Sequence, residues 1–264
     1  MLFTARVRRY LRCMTDRNDR TTHFGFRDIS VEEKAPMVQG VFESVASRYD
    51  IMNDLMSLGA HRFWKDALMD WMRPRAGEYC LDVAGGTGDI AERIRKRQGG
   101  QDAAGRVLVF DLTEGMLRAG RERFQGRDDL QWVCGNAETL PFEDNSFDAY
   151  TISFGLRNVS RPDLALAEAR RVLRPGGRFF CLEFSQVVLP ILKDIYDQYS
   201  FKLLPTLGGL VAGDRESYQY LVESIRRFPS QEKLEDMMRE AGFGRVTHRN
   251  MSGGIVAVHN GWRI

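Results

Sequence analysis

Apolar and polar positions follow two rhythms along this chain. Over residues 35–73 the apolar side chains Val38, Val41, Phe42 and Val45, then Ile51, Met52, Leu55 and Met56, then Phe63, Trp64, Leu68, Trp71 and Met72 recur at spacings of three and four, which predicts helices with one buried face. Pro74 and Gly77 close that stretch. Beyond it, short apolar runs alternate with helical patterns. Tyr79–Val83, Arg106–Asp111, Leu130–Val133, Phe147–Phe154 and Arg178–Glu183 read as strands, and Ile90–Arg97, Met116–Phe124 and Asp163–Leu173 as helices between them. Arg174-Pro175-Gly176-Gly177 reads as a turn. A helix over Gln231–Ala241 and strands over Val246–Asn250 and Gly254–Val258 complete the series. Strands separated by helices pair in parallel through right-handed crossovers, so the expected fold is α/β with a mostly parallel sheet.

The whole pattern is arranged around one junction. Tyr79-Cys80-Leu81-Asp82-Val83 runs into Ala84-Gly85-Gly86-Thr87-Gly88-Asp89, and a helix follows. Glycines there let the backbone approach a ligand that a Cβ would exclude, and the first N–H groups of the helix favour an anionic group. Two ligand classes fit. Gly86-Thr87-Gly88-Asp89-Ile90-Ala91 satisfies the loose dinucleotide fingerprint, with Asp111 placed to hold a ribose. Against it, Asp82 directly before the glycines would compete with a pyrophosphate but suits the cationic methionyl end of S-adenosylmethionine. A tight turn with no ligand is the plain alternative.

Composition narrows the classes. A chain of 264 residues, 43% hydrophobic and 28% charged, is long enough for one large α/β domain with insertions. The net charge of +2 implies no general affinity for nucleic acid. Cys13, Cys80, Cys134 and Cys181 stand far apart, which argues against a disulfide framework and against a metal site. No apolar run approaches the ~20 residues that span a bilayer. Residues 1–20 carry Arg6, Arg8, Arg9, Arg12, Arg17 and Arg20 with little apolar continuity. An organelle-targeting segment, a disordered leader and an upstream start with Met14 as the true one are all open readings.

Further motifs then make a family resemblance specific. The acid–glycine turn, Asp111 ending the second strand, Asn136-Ala137-Glu138-Thr139-Leu140-Pro141-Phe142 with Phe147-Asp148, and Arg171-Val172-Leu173-Arg174-Pro175-Gly176-Gly177 resemble the successive motifs of class I S-adenosylmethionine-dependent methyltransferases. Thr22-His23-Phe24-Gly25-Phe26, Tyr49-Asp50-Ile51-Met52-Asn53-Asp54, His61-Arg62-Phe63-Trp64-Lys65, Ser153-Phe154-Gly155-Leu156-Arg157-Asn158-Val159, Leu182-Glu183-Phe184-Ser185 and Ser217–Arg226 resemble, more closely, the C-methyltransferases of ubiquinone and menaquinone biosynthesis. The resemblance runs from about residue 21 to the end; the basic leader departs from it.

What the resemblance implies is a doubly wound, mostly parallel seven-stranded sheet with an antiparallel edge strand, N-terminal cover helices over 35–73 and a helical lid insertion over 185–229, in one domain spanning 21–264. The implied reaction is methyl transfer from S-adenosylmethionine to a ring carbon of a polyprenylated benzoquinol, 2-methoxy-6-polyprenyl-1,4-benzoquinol, or of demethylmenaquinol, or both. Methylation of another small phenol and a structural role in a quinone-synthesising assembly are the alternatives. Expected cofactor contacts are Asp82, Gly85, Thr87, Asp111, Asn136, Ala137 and Ser153. Arg157 and Asn158 are expected to stabilise a developing phenolate, with His61 as a proton acceptor and Asp54 and Glu183 behind it.

The segment Ser185–Pro229 is rich in apolar side chains, among them Val187, Ile191, Tyr196, Phe201 and Leu204. It reads equally as a lid that receives a polyprenyl tail at the membrane surface or as a subunit interface of a homodimer. Other quinone-biosynthesis proteins are expected partners. The expected location is the cytoplasm, peripheral on the inner membrane, or the matrix side in a mitochondrion.

Overall fold

The computed structural model describes residues 21–45, 54, 57, 59–188 and 215–264. The basic leader, Tyr49 to Asn53 and residues 189–214 of the expected lid lie outside the described residues.

The described chain opens with a hairpin of β1 (Thr21–Phe24) and β2 (Arg27–Ser30), which the sequence reading did not anticipate. Gly25 takes a φ of 58° at its turn, a conformation that favours glycine. Ser30 and Glu33 then form a capping box: Ser30 N–H donates to Glu33 Oε2 at 3.0 Å, and Glu33 N–H to Ser30 Oγ at 3.3 Å. That box starts α1 (Val31–Val45), and α2 (His61–Met72) follows.

The alternating part of the chain folds as β3 (Tyr79–Val83), α3 (Asp89–Arg97), β4 (Arg106–Asp111), α4 (Glu114–Arg123), β5 (Leu130–Cys134), β6 (Phe147–Ser153), α5 (Pro162–Val172) and β7 (Leu173–Phe184). Then come α6 (Arg215–Arg227), α7 (Gln231–Glu240), β8 (Gly244–Met251) and β9 (Val256–Trp262). The seven-stranded sheet has the order β5-β4-β3-β6-β7-β9-β8. All pairs from β5 to β7 are parallel, while β9 runs antiparallel to both β7 and β8. The reversed strand therefore stands second from the edge, inside the terminal hairpin.

Successive side chains of a strand point to opposite faces, and the core divides accordingly. Cys80, Val107 and Val109 pack with Leu68 and Met72 of α2 and Ile94 of α3. Leu81, Val83, Leu108 and Phe110 pack on the other face with Leu166 and Ala169 of α5 and Met238 of α7. Helices thus cover both sides, which is why β3 and β4 read as nearly continuous apolar runs.

One stretch differs from expectation. Arg174–Gly177 reads as a turn, yet it belongs to β7. The β6–β7 register slips between Phe147 and Ala149 to absorb the extra residues, and Gly176 N–H and Gly177 C=O pair with Arg263 at 2.7 and 2.9 Å.

Candidate active site

Where β3 ends, Ala84 and Gly86 take φ angles of 51° and 54°, and the backbone folds back toward β4. Gly86 N–H donates to Asp111 Oδ2 at 2.9 Å, and Thr113 N–H donates to Asp111 Oδ1 at 2.8 Å. The carboxylate at the tip of β4 is therefore fixed from two sides, with lone pairs left on both oxygens. Burial raises its pKa, while those N–H groups pull it down. A Cβ on Gly86 would come within 3.1 Å of the Met116 methyl, so glycine keeps this wall open.

A cleft of about 750 Å³, part of it open to solvent at the mouth, lies over the carboxyl ends of β3, β4 and β6. That is where an open α/β sheet binds ligands, at the point where strand order reverses, and the size suits a small-molecule site. One wall holds Asp111, Leu112, Met116, Asn136 and Ala137. Ala35, Val38 and Phe42 of α1 form the roof. Their spacing of three and four puts them on one helix face, so α1 does cover the site. Asn158, Val159 and Ser160 bound the opposite side.

Of the residues singled out from the sequence, Asp111, Asn136, Ala137 and Asn158 come together in this lining. The others stand behind it or apart from it. Asp82 is fully buried on the α2–α3 face, opposite Thr151 in the β3–β6 register, and accepts that hydroxyl at 2.8 Å. Its Oδ2 has no hydrogen-bond partner and sits where a Gly85 side chain would be, 2.8 Å from the ideal Cβ position. Burial first, then Asp111 and Asp89, push its pKa up to about 7. Asp82 is therefore a buried acid whose proton is held more tightly than usual, and a cation brought close would draw its pKa back down. Thr87 is half-buried outside the lining; Ser153 ends β6 with a buried hydroxyl that has no partner.

Arg157 faces away from the cleft. Its Nη1 pairs with Glu183 Oε1 at 2.6 Å and donates to Phe154 O at 2.6 Å, with 4% of the side chain exposed and 1% of Glu183. The guanidinium also lies over the Phe184 ring at 5.5 Å. Burial pushes the Glu183 carboxyl up and Arg157 pulls it back. Such a pair locks the loop after β6 onto β7, and removing one partner leaves a buried charge uncompensated. His61 is not brought to the cleft either. Its Nε2 lies 2.9 Å from Asp54 Oδ1, which Arg62 also engages; the Arg62 hydrogen bond, then that of His61, hold Asp54 down to about 2. Burial lowers the His61 pKa despite Asp54.

Several residues at the site carried no role in the sequence reading. Lys34, 2% exposed, donates from Nζ to the carbonyls of Arg157 and Val159 at 3.3 and 3.0 Å. Thr22 Oγ1 donates to Ser160 O at 3.1 Å, and Glu138 Oε1 accepts the N–H groups of Ser160 and Arg161 at 3.0 and 3.1 Å. Tyr220 donates its hydroxyl to Asn158 Oδ1 at 2.9 Å. The only sequence signal for any of them was membership of a quoted motif, for Thr22, Glu138 and Tyr220.

The residues present fit S-adenosylmethionine. A fixed carboxylate at the tip of β4 suits ribose hydroxyls, the Leu112–Met116 wall and Asn136–Ala137 suit an adenine, the unspent Asp82 oxygen lies against Gly85 of the glycine turn, and an unspent Ser153 hydroxyl ends β6. Among the described residues no group of His, Cys, Asp or Glu is placed to hold a metal ion.

Comparison with known proteins agrees with this geometry. The model of the ubiE/COQ5 methyltransferase family matches residues 29–263. A Paracoccus denitrificans protein named ubiquinone/menaquinone biosynthesis C-methyltransferase is 59% identical over 95% of this chain and 100% of its own length. The Bos taurus mitochondrial 2-methoxy-6-polyprenyl-1,4-benzoquinol methylase is 51% identical over 92% of this chain and 84% of its own. A Thermotoga maritima S-adenosylmethionine-dependent methyltransferase superposes with a TM-score of 0.62 at 21% identity, over 86% of this chain and all of the other, which shows the shared fold. With that architecture, and with the family model spanning the sheet, the roof helix and the cleft, the chain belongs to the ubiE/COQ5 methyltransferase family.

Proposed function

We propose that this chain methylates a ring carbon of a polyprenylated quinol, 2-methoxy-6-polyprenyl-1,4-benzoquinol or demethylmenaquinol or both, in ubiquinone/menaquinone biosynthesis. The observation that carries this reading is a cleft at the sheet's switch point with a fixed carboxylate on one wall and a carboxamide, Asn158, on the other. S-adenosylmethionine, when bound, supplies an electrophilic methyl group.

The chain's own residues do the rest. Asp111 holds the cofactor's ribose, Asn136 and Ala137 border its base, and Asp82, Gly85, Thr87 and Ser153 shape the turn beside its charged end. A ring carbon is a poor nucleophile until a neighbouring hydroxyl loses its proton, which solvent at the mouth of the cleft can take, so the site must favour the ionised oxygen. As the carbon–carbon bond forms the methyl–sulfur bond breaks, S-adenosylhomocysteine leaves, and the ring carbon then gives up its own proton to restore the aromatic ring. Asn158 bonds the ionised oxygen, a role supported by its position in the cleft lining. Arg157, one residue earlier and committed to Glu183, fixes the loop that carries Asn158. The apolar roof of Ala35, Val38 and Phe42 limits water, which strengthens every charge interaction beneath it. Positioning of the two reactants then supplies much of the rate. His61, held by Asp54 outside the lining, is left out of this scheme as proton acceptor.

Among the described residues no helix is long and apolar enough to cross a membrane. Peripheral contact with a membrane surface, on the matrix side in a mitochondrion, a second copy of the chain, and other quinone-biosynthesis proteins complete the proposal; the apolar side chains of 187–204 support it.

The test is incorporation of labelled methyl from S-adenosylmethionine into a reduced and an oxidised short-tail quinone side by side. Label should enter the reduced form at least a hundredfold faster. Equal labelling of both, or of neither, would remove the quinol from the reading.

A further inference from the structure

Two segments, Thr22–Phe26 and Ser217–Arg226, have no part in the scheme above, yet they meet behind Asn158. Phe24 stacks on Tyr220 with ring centroids 4.0 Å apart and planes 16° from parallel. Phe26 N–H donates to Glu223 Oε2 at 3.0 Å, and Arg227 reaches Asp28. The hairpin thereby seats α6 against the loop after β6. Tyr220, 4% exposed, delivers its hydroxyl to Asn158 Oδ1.

A carboxamide turned over by 180° keeps its shape but exchanges acceptor for donor. Here Phe154 O decides the orientation. It lies 3.5 Å from Asn158 Nδ2, and a carbonyl can only accept, so the flipped amide would set two oxygens against each other. Phe154 O already takes the Arg157 guanidinium at 2.6 Å, which leaves Nδ2 with hydrogen-bonding capacity to spare. Flipping would also turn the Tyr220 hydroxyl from donor to acceptor and strand its proton in a buried site. Burial pushes the phenol's pKa up, so that proton stays in place.

We propose, on the reading that the cleft takes a quinol, that Tyr220 is a positioning residue: it engages the oxygen of the Asn158 carboxamide so that the amide offers the cleft an N–H donor and not an acceptor. A donor favours the ionised ring oxygen; an acceptor would favour the un-ionised hydroxyl. The polarity of one amide, set from α6, thus selects the reactive form of the substrate.

Three variants and one resonance test this. Asn158→Asp still accepts from Tyr220 but has no N–H to give, so turnover should fall at least a hundredfold; near-wild-type turnover would mean that oxygen faces the ring, and would overturn the proposal. Tyr220→Phe keeps the stack on Phe24 and loses only the hydroxyl. Its kcat should drop roughly tenfold, the worth of one hydrogen bond, with the KM for S-adenosylmethionine unchanged. In an Asn158→Ala background the same change should cost nothing; an equal loss in both backgrounds would reveal a general packing role. Independently of activity, the ¹⁵N side-chain resonance of Asn158, assigned by its disappearance in Asn158→Asp, should move in Tyr220→Phe. An unmoved resonance sinks the proposal whatever the substrate. A moved resonance in a protein that methylates no reduced quinol supports the anchored amide and removes the quinol reading instead.

Discussion

Lys34 holds a cation inside the protein with no carboxylate hydrogen-bonded to it among the described residues. Burial lowers its pKa from the ordinary 10.5 to about 8, with Glu138 acting against the shift. Its contacts are the two carbonyls of the Arg157–Val159 loop, and a neutral amine still has two N–H groups for them. Between pH 8 and 10.5 the unfolded chain keeps a proton that the folded chain releases, so stability rises with pH across that window. The unfolding free energy of the wild type should therefore gain up to about 3 kcal/mol on Lys34→Met between pH 7.5 and 10.5. Urea titrations at several pH values measure it; a constant difference would refute the lowered pKa. At this scale the sequence spoke unevenly. Asp111 was legible because an acid that ends an apolar run must sit at a strand tip. The Arg157–Glu183 pair was not legible as a pair, because it depends on β6 and β7 being neighbours, with Ser153 opposite Leu182. His61 looked chemical in the sequence because a His among polar residues does; only the fold shows Asp54 claiming it.

Among the elements, the β1–β2 hairpin is the one that the hydrophobic pattern could not reveal. Four-residue strands give too little alternation to register, and Phe26 points outward, 53% exposed. Yet this hairpin seats α6 and reaches the loop through Thr22. Gly25→Ala would force a Cβ into the left-handed region and against the Glu223 side chain. We expect a loss of about 1–2 kcal/mol in stability, and faster hydrogen exchange confined to residues 21–30 and 217–226. Exchange unchanged in both segments would show that the hairpin is no strut. From Tyr79 to Val172 the strands and helices were read nearly to their ends, since strand and helix alternate there without interruption. The Arg174–Gly177 stretch misled for a physical reason: proline and glycine mark a bulge as readily as a turn.

For the whole molecule, the sheet order sets β3 beside the central β6 and sends the chain outward on one side through β4 and β5 before it returns to β6. That reversal makes the cleft, and the alternation of strand and helix announced it. The hydrophobic period marked the roof as helices and the family resemblance marked it as a cover, but which side chains line the cleft was not legible, because helix period shows which face is buried and not what it covers. A ligand that binds only the folded cleft must stabilise all of it. S-adenosylmethionine at a hundred times its Kd should raise Tm by roughly 5–10 °C. Asp111→Asn should weaken its binding ten- to a hundredfold by calorimetry and shrink the Tm gain accordingly. A Tm indifferent to S-adenosylmethionine would place the cofactor elsewhere.

The reversed strand near the sheet's edge carries one more implication. In the seven-stranded sheet β8 touches only β9, so the earlier strand cannot join until the later one has been laid down between it and β7. A protease cut or a premature stop ahead of Val256 would therefore strip away two strands at once and bare the main-chain groups of Arg178–Phe184, an adhesive ribbon that invites aggregation.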